Sequence, residues 1–309
     1  MSEDEVKITD TFRCGYVAIV GEPNVGKSTL MNAMIGQKLS IVTPKPQTTR
    51  HKILGFQSTD GHQVIFLDTP GIIKPKYLLQ EVMMSVASSA LADADAVLFM
   101  IDASDPKTDA DLIHEEAFSK LQGLQKPVFL VINKADAVNK VAILPIIDFY
   151  SKTFAFTDIF PISALKSDGT AELLKAIVKA LPVHPPLYPL DIVSEHDERF
   201  FVSEIIREKI FEKYQQEIPY STTVEIVEFK EREAGKTFIN ADIFVERESQ
   251  KGILIGKGGE ALKQIGRWAR KDIEAFLQHA VFLELHVKVR RDWREDKVAL
   301  AKFGYQKNQ

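Results

Sequence analysis

Residues Gly21-Glu22-Pro23-Asn24-Val25-Gly26-Lys27-Ser28 fit the pattern G-x-x-x-x-G-K-[ST]. Glycines at these spacings let backbone N–H groups turn inward toward a polyphosphate, and a helix starting at Lys27 adds partial positive charge. Lys27 supplies a point charge for the terminal phosphates, and Ser28 offers a hydroxyl to Mg2+. Asn133-Lys134-Ala135-Asp136 narrows the base. The Asp136 carboxylate can accept from guanine N1–H and from the exocyclic amine, a pairing adenine does not offer. Asn133 can reach the ring N7, and the Lys134 stem can cover the base face. Asp68-Thr69-Pro70-Gly71 supplies a carboxylate for the magnesium water shell and, at Gly71, an N–H to sense a terminal phosphate. Ser163 and Ala164 close the set, the Ala164 N–H being placed for guanine O6.

These groups work only if one scaffold gathers them. Apolar runs at 16–20, 64–67, 96–101, 128–132 and 159–161 read as short buried strands. Helical patterns at 27–35, 79–91, 109–121, 141–154 and 170–181 alternate with them. Alternation of this kind predicts an α/β fold with a mostly parallel sheet wrapped by helices. Ligands of such sheets sit at the strand C-termini, where all four motifs fall. Four prolines within 182–189 then interrupt any regular element. Beyond them the pattern changes to a helix at 198–215, strands at 222–229 and 237–245, two helices within 249–277 broken at glycines, and a strand at 282–289. The expected division is a nucleotide-binding domain at 1–182, a proline-containing linker at 183–197, and a small α+β domain with a basic extension at 198–309.

Composition bounds the function classes. The chain has 309 residues, 45% hydrophobic and 27% charged, with a formal net charge of −4. These values fit a globular protein of two domains. No apolar run approaches membrane-span length, no basic-then-apolar leader precedes the first strand, and one cysteine, Cys14, excludes an intrachain disulfide. A cytoplasmic address is expected. The near-neutral total conceals a net basic segment after residue 250, the mark of a polyanion partner. There Gly256-Lys257-Gly258-Gly259 forms a G-x-x-G loop between two helical segments, with Lys251, Lys263, Arg267, Arg270 and Lys271 around it.

Taken together, the motifs resemble the Era-type subgroup of P-loop GTPases, and the second domain resembles a type II KH domain. The resemblance covers nearly the whole chain. It implies GTP binding and hydrolysis to GDP with Mg2+. It makes Gln47-Thr48-Thr49-Arg50-His51 the first switch and Asp68-Thr69-Pro70-Gly71-Ile72 the second. The implied Mg2+ contacts are Ser28, Thr49 and, through water, Asp68; Thr48 is the neighbouring alternative to Thr49. In related GTPases a residue matching Asn24 helps hold a monovalent cation, so K+ is an implied cofactor. The implied partner of the KH domain, through Gly256, Lys257, Gly258, Gly259, Lys263 and Arg267, is the 3′ end of small-subunit (16S) ribosomal RNA. The implied role is in assembly of the 30S subunit, by a monomer that also associates peripherally with the inner face of the membrane. The alternative is a membrane-associated regulatory GTPase with a protein partner. One departure from signalling GTPases matters: Ile72 stands where a water-orienting glutamine is usual, and it has no group with which to orient water. Slow basal hydrolysis is expected. Ile253, Leu254, Ile255 and Ile265 are candidate groove residues but better core candidates, as is Trp268. Arg290, Arg291, Arg294 and Lys297 read equally as phosphate contacts or as a solvated helix face.

Overall fold

The computed structural model describes residues 11–106, 116–231 and 235–305. Strands β1 (Arg13–Gly21), β2 (Ile53–Ser58), β3 (His62–Asp68), β4 (Ala96–Asp102), β5 (Val128–Asn133) and β6 (Asp158–Pro161) form one sheet in the order β2-β3-β1-β4-β5-β6. Every pairing in it is parallel except β2 with β3. The central strands are buried on both sides, which is why Val17-Ala18-Ile19-Val20 reads as an unbroken apolar run. Helices α1 (Lys27–Ile35) and α5 (Thr170–Ala180) cover one face through Leu30, Met31, Leu173 and Ile177. Helices α2 (Leu78–Asp93), α3 (Glu116–Ser119) and α4 (Lys140–Thr153) cover the other through Ala90, Leu91, Phe118, Ile143 and Tyr150.

Sequence patterning missed β2. Gly55 interrupts its apolar run, and the reason is packing: a Cβ there would sit 2.1 Å from Ile35 Cδ1. Of the helix expected at 109–121, residues 109–115 lie outside the described residues. The proline-containing stretch is strapped along the β2 edge. Tyr188 stacks on Phe56 at 4.4 Å, and the Phe56 N–H donates to the Val193 carbonyl at 2.9 Å. That pairing covers an otherwise open sheet edge.

The second part runs α6 (Glu198–Lys213), β7 (Thr223–Lys230), β8 (Thr237–Val245), α7 (Glu248–Ile255), α8 (Glu260–Leu277), β9 (Val281–Val289) and α9 (Lys297–Lys302). Its sheet has the order β7-β8-β9, with β7 antiparallel and β9 parallel to β8. Ile206, Ile210, Ile239, Ile243, Leu254, Ile265 and Ile273 make its core. Among the described residues no helix is long and apolar enough to cross a membrane.

Of the four basic tail residues, Arg291 and Lys297 are exposed, as a solvated face requires, while Arg290 and Arg294 turn to partners within the chain. Arg294 pairs with Glu246 at 2.5 Å and lies over the Tyr77 ring, and Arg290 pairs with Asp296 at 3.3 Å. Between them Trp293 is fully buried, donates to the Ser221 carbonyl at 2.9 Å, and joins Leu300 and Tyr305 against Leu79, Val82 and Met83 of α2. Residues 293–305 therefore dock on the first domain. Trp293→Ala should cost about 3–5 kcal/mol through loss of this packing, read as a lowered unfolding midpoint in calorimetry; an unchanged midpoint would show that the cluster contributes nothing.

Candidate functional site: a nucleotide cavity and a glycine-loop groove

A cavity of about 520 Å³ opens at the C-terminal ends of β1, β3 and β5. Its floor is the 21–28 loop. Gly26 caps α1 at φ 101°, and a Cβ on it would fall 2.3 Å from Asn133 Nδ2. Glycine is needed there because of a tether: Asn133 Nδ2 donates to the Val25 carbonyl at 2.8 Å, and its Oδ1 accepts the Ala164 N–H at 2.9 Å. Thus Asn133, buried, joins the phosphate loop to the 163–164 turn, and the Ala164 N–H expected to face a base is held by Asn133 in this arrangement. Lys27 is buried and donates to the Glu22 carbonyl at 2.7 Å, inside the curl of its own loop. Burial lowers its pKa to about 8. Asn24 donates through Nδ2 to the Pro44 carbonyl at 3.0 Å, linking the loop to the stretch just before 47–51.

Lys134 pairs with Asp102 at 2.5 Å, and Asp136 with Lys166 at 3.2 Å. A hydrogen bond from Ser163 holds the Asp136 carboxyl below the usual carboxylate range. Asp136 is thereby kept as an acceptor at the cavity rim.

Ser28, Thr49 and Asp68 come together although 40 residues separate the first from the last. Ser28 Oγ lies 3.0 Å from Thr49 Oγ1 and donates to Asp68 Oδ2 at 2.7 Å; Ser40 Oγ donates to the same oxygen at 2.8 Å. Asp68 Oδ1 is buried with no hydrogen-bond partner, and burial raises the Asp68 pKa. Two hydroxyls beside a carboxylate with one idle oxygen form a hard-oxygen donor set that fits Mg2+ completed by water and phosphate oxygens. Thr48, the alternative, is turned away: its hydroxyl donates to the Lys45 carbonyl at 2.7 Å. Thr69 Oγ1 donates to the Ile19 carbonyl at 2.9 Å and anchors the turn after β3. Pro70 leads into Gly71, which packs so closely on Pro23 that a Cβ would lie 2.8 Å from its nitrogen. Ile72 is buried in the core, with its N–H on the Gly21 carbonyl at 3.2 Å.

Gln47 stays at the cavity wall and ties it to α2, whereas Arg50 and His51 turn toward the second domain. Gln47, at φ 58°, accepts from Gln80 Nε2 at 2.9 Å. The Arg50 guanidinium is buried and donates to the carbonyls of Thr222, Pro219 and Tyr220 at 2.8, 2.9 and 3.1 Å. His51 stacks on Tyr305 at 4.4 Å and meets the Phe200 edge at 5.4 Å; burial among these rings pushes it down to about 4. From the other side Arg207 of α6 donates to the Thr48 carbonyl at 2.6 Å and pairs with buried Glu204 at 2.5 Å. Burial works against the Glu204 charge, yet Arg207 holds its pKa below the ordinary range. Glu208 takes Lys38 at 2.6 Å and the Val42 N–H at 3.0 Å. Sequence reading missed Glu204, Arg207 and Glu208. Their spacing puts charge on one stripe of α6, and such a stripe ordinarily faces water.

The second candidate site surrounds 256–259. Gly258 (φ 61°) and Gly259 (φ 79°) are left-handed, and a Cβ on either would meet nothing within 4 Å, so the loop presents bare backbone outward. Lys257 is exposed between Gly256 and Gly258. Beside the loop a groove of about 650 Å³ runs between α8 and β9, edged by Lys263, Arg267 and Arg270 and floored by Leu283 and Leu285. The floor is β9, not the isoleucines considered from sequence: Leu254 and Ile265 are core, and Ile253 is 49% exposed elsewhere. Trp268, expected in the core, is 39% exposed, because its position on α8 lies off the stripe of Ile265, Ala269 and Ile273. No group of three or more His, Cys, Asp or Glu suited to a metal occurs among the described residues, and His279 instead meets Thr237 Oγ1 at 2.9 Å.

Comparison with known proteins agrees with this geometry. Residues 16–134 match the family described as 50S ribosome-binding GTPase, and residues 217–294 match the KH domain family. The chain is 48% identical to GTPase Era of Geobacter metallireducens over 95% of its own length and 98% of the relative's. The chain belongs to the Era GTPase family. It is also 49% identical to the chloroplastic GTPase ERA1 of Zea mays, covering 95% of this chain and 70% of that one. Its fold superposes on Aquifex aeolicus Era bound to GDP and AlF4− with a TM-score of 0.89 at 43% identity, covering 95% of this chain and 99% of the other. A structure of Era with MgGDPNP and nucleotides 1506–1542 of 16S ribosomal RNA matches equally, at a TM-score of 0.89.

The buried Glu204–Arg207 pair on α6 can be tested directly. Arg207→Met should destabilise the chain by about 3–5 kcal/mol, because Glu204 is left charged and unpaired. Adding Glu204→Leu should recover most of that loss; a double variant no better than the single would rule out an unpaired carboxylate as the cause.

Proposed function

We propose that the chain is a GTP-hydrolysing switch that binds the 3′ end of 16S ribosomal RNA through its KH domain during 30S subunit assembly. The observation that carries this reading is the adjacency of Thr49 and Arg50. One faces the nucleotide cavity beside Ser28, and the next holds three carbonyls at the entry to the KH sheet. Ordering of the first switch around a terminal phosphate is thereby a statement about where the KH domain sits. The proposed division is 1–182, 183–197 and 198–309. The proposed nucleotide contacts are the 21–28 loop, Asn133, Lys134, Asp136, Ser163 and Ala164, with Ser28, Thr49 and Asp68 holding Mg2+. When bound, that ion would neutralise phosphate charge. This chain's own residues bind and orient: Lys27 at the phosphates, Asp136 at the base. Ile72, buried, supplies no polar group, so water must be placed by backbone, by another residue or by a partner, and basal hydrolysis is slow. The proposed K+ role of Asn24 is supported by its place between the phosphate loop and Pro44. The protein acts as a cytoplasmic monomer, with peripheral attachment to the membrane face.

Two measurements test this reading. Asp136→Asn should move nucleotide preference from guanine toward xanthine, measured by competition for GDP; unaltered GDP affinity would remove Asp136 from base recognition. RNA affinity of the full chain should differ between its GDPNP and GDP states and weaken with salt. Arg50→Met should shrink that difference toward unity while GDP still binds. Equal RNA affinity of the unaltered chain in both states would refute the coupling. Complete reversal of a 1:99 balance needs about 5.5 kcal/mol of differential binding.

A further inference from the structure

Trp268 is the one aromatic on α8 that packing does not explain. It is 39% exposed, while Trp293, the other of the chain's two tryptophans, is fully buried. Around Trp268 the chain assembles a small surface. The Lys213 ammonium sits 5.4 Å from the Trp268 ring and 5.9 Å from the Tyr214 ring, and donates to Gln264 one turn before Trp268. The Tyr214 hydroxyl donates to the Ile253 carbonyl at 3.1 Å, and Ile253 itself is 49% exposed. Ile253 and Tyr214 thus bring the surface to the foot of the 256–259 loop. Helical spacing places Trp268 on the flank of α8 facing α6, whereas Lys263, Gly266 and Arg270 of the groove lie on the flank facing β9. It is a second surface, continuous with the loop but separate from the groove.

Its charge selects the ligand. Lys213 and Lys271 carry no ion pair among the described residues. The acids nearest in sequence are occupied: Glu212 and Asp272 both hold Lys209, at 3.0 and 2.6 Å, and Glu260 holds Lys263 at 3.1 Å. An exposed ring, flanked by a half-buried one and by cations outside any ion pair, is what an unpaired nucleic-acid strand uses, a base stacking on the ring while phosphates meet the cationic groups. We propose that Trp268, with Tyr214, Lys213 and Lys271, forms a stacking platform that takes the unpaired RNA strand where it leaves the 256–259 loop on the side away from the groove. The platform lies eight residues into α8, roughly 12 Å along its axis from the loop. It rests on the RNA-binding reading above and extends it to a site outside the groove.

The test uses the full chain and two unstructured single-stranded RNA oligomers, of about 5 and about 15 nucleotides, bracketing common single-strand site sizes. The long oligomer should quench tryptophan fluorescence, and Trp268→Phe, which leaves only buried Trp293, should abolish the quench. Trp268→Ala should weaken the long oligomer about 5- to 100-fold and the short one by less than about 2-fold. Trp268→Phe should retain most of the affinity, and melting curves check that each variant folds. A long oligomer bound without quenching and with affinity untouched by Trp268→Ala overturns the platform and leaves the groove reading standing. A Trp268 signal that answers to a ribosomal protein and not to RNA also overturns it. If the unaltered chain binds neither oligomer, the RNA reading itself falls, and the platform with it.

Discussion

Two buried guanidinium groups hold this molecule together across its domain boundary. Arg50 reaches from the first switch into the carbonyls of Pro219, Tyr220 and Thr222, and Arg207 reaches back from α6 to the Thr48 carbonyl. Charges removed from water are costly unless every face is met, and Glu204 and the carbonyls meet most of them. One nitrogen, Arg207 Nη1, has no partner. A contact built this way adds little net stability against an apolar equivalent, but it tolerates few alternative geometries. The position of the second domain is therefore tied to the backbone of residues 48–50, which also carries Thr49 to the cavity.

The chain end reinforces the same region. Tyr305 stacks on His51, and the Arg294 carbonyl accepts the Leu79 N–H at the start of α2, just past the second switch. Residue 51 and the start of α2 thus both abut elements that follow the KH sheet. Apolar packing of Trp293 and Leu300 against Leu79, Val82 and Met83 supplies the adhesion, while the polar contacts set the register. A domain joined by the 183–197 stretch alone would be free to reorient; here that stretch is itself pinned by Gln63, whose Oε1 accepts the N–H groups of Leu187 and Tyr188.

Residues 21–28, 68–71 and 133–136 could be picked out as candidates that meet at one cavity, because phosphate and purine recognition demand particular groups at strand ends, and the apolar strand runs showed where those ends lie. Helix α1 and strand β8 fall where local pattern put them, since each is periodic and bounded by glycine or polar residues. What local pattern misjudged was burial. Gly55 broke a real strand, Trp268 was assigned to a core it does not reach, and Arg294 was given to phosphate or solvent when it serves Glu246.

The amino-acid order alone thus determined the nucleotide chemistry, the two-part organisation and the open glycine loop, because each depends on residues close together in the chain. Tertiary structure alone decided that Asn133 ties one loop to another, that Glu204 and Arg207 lie inside, and that Arg50 belongs to both domains. Those outcomes depend on which surfaces exclude water from one another, and a charged side chain carries no local mark of whether a distant carbonyl will be there to receive it.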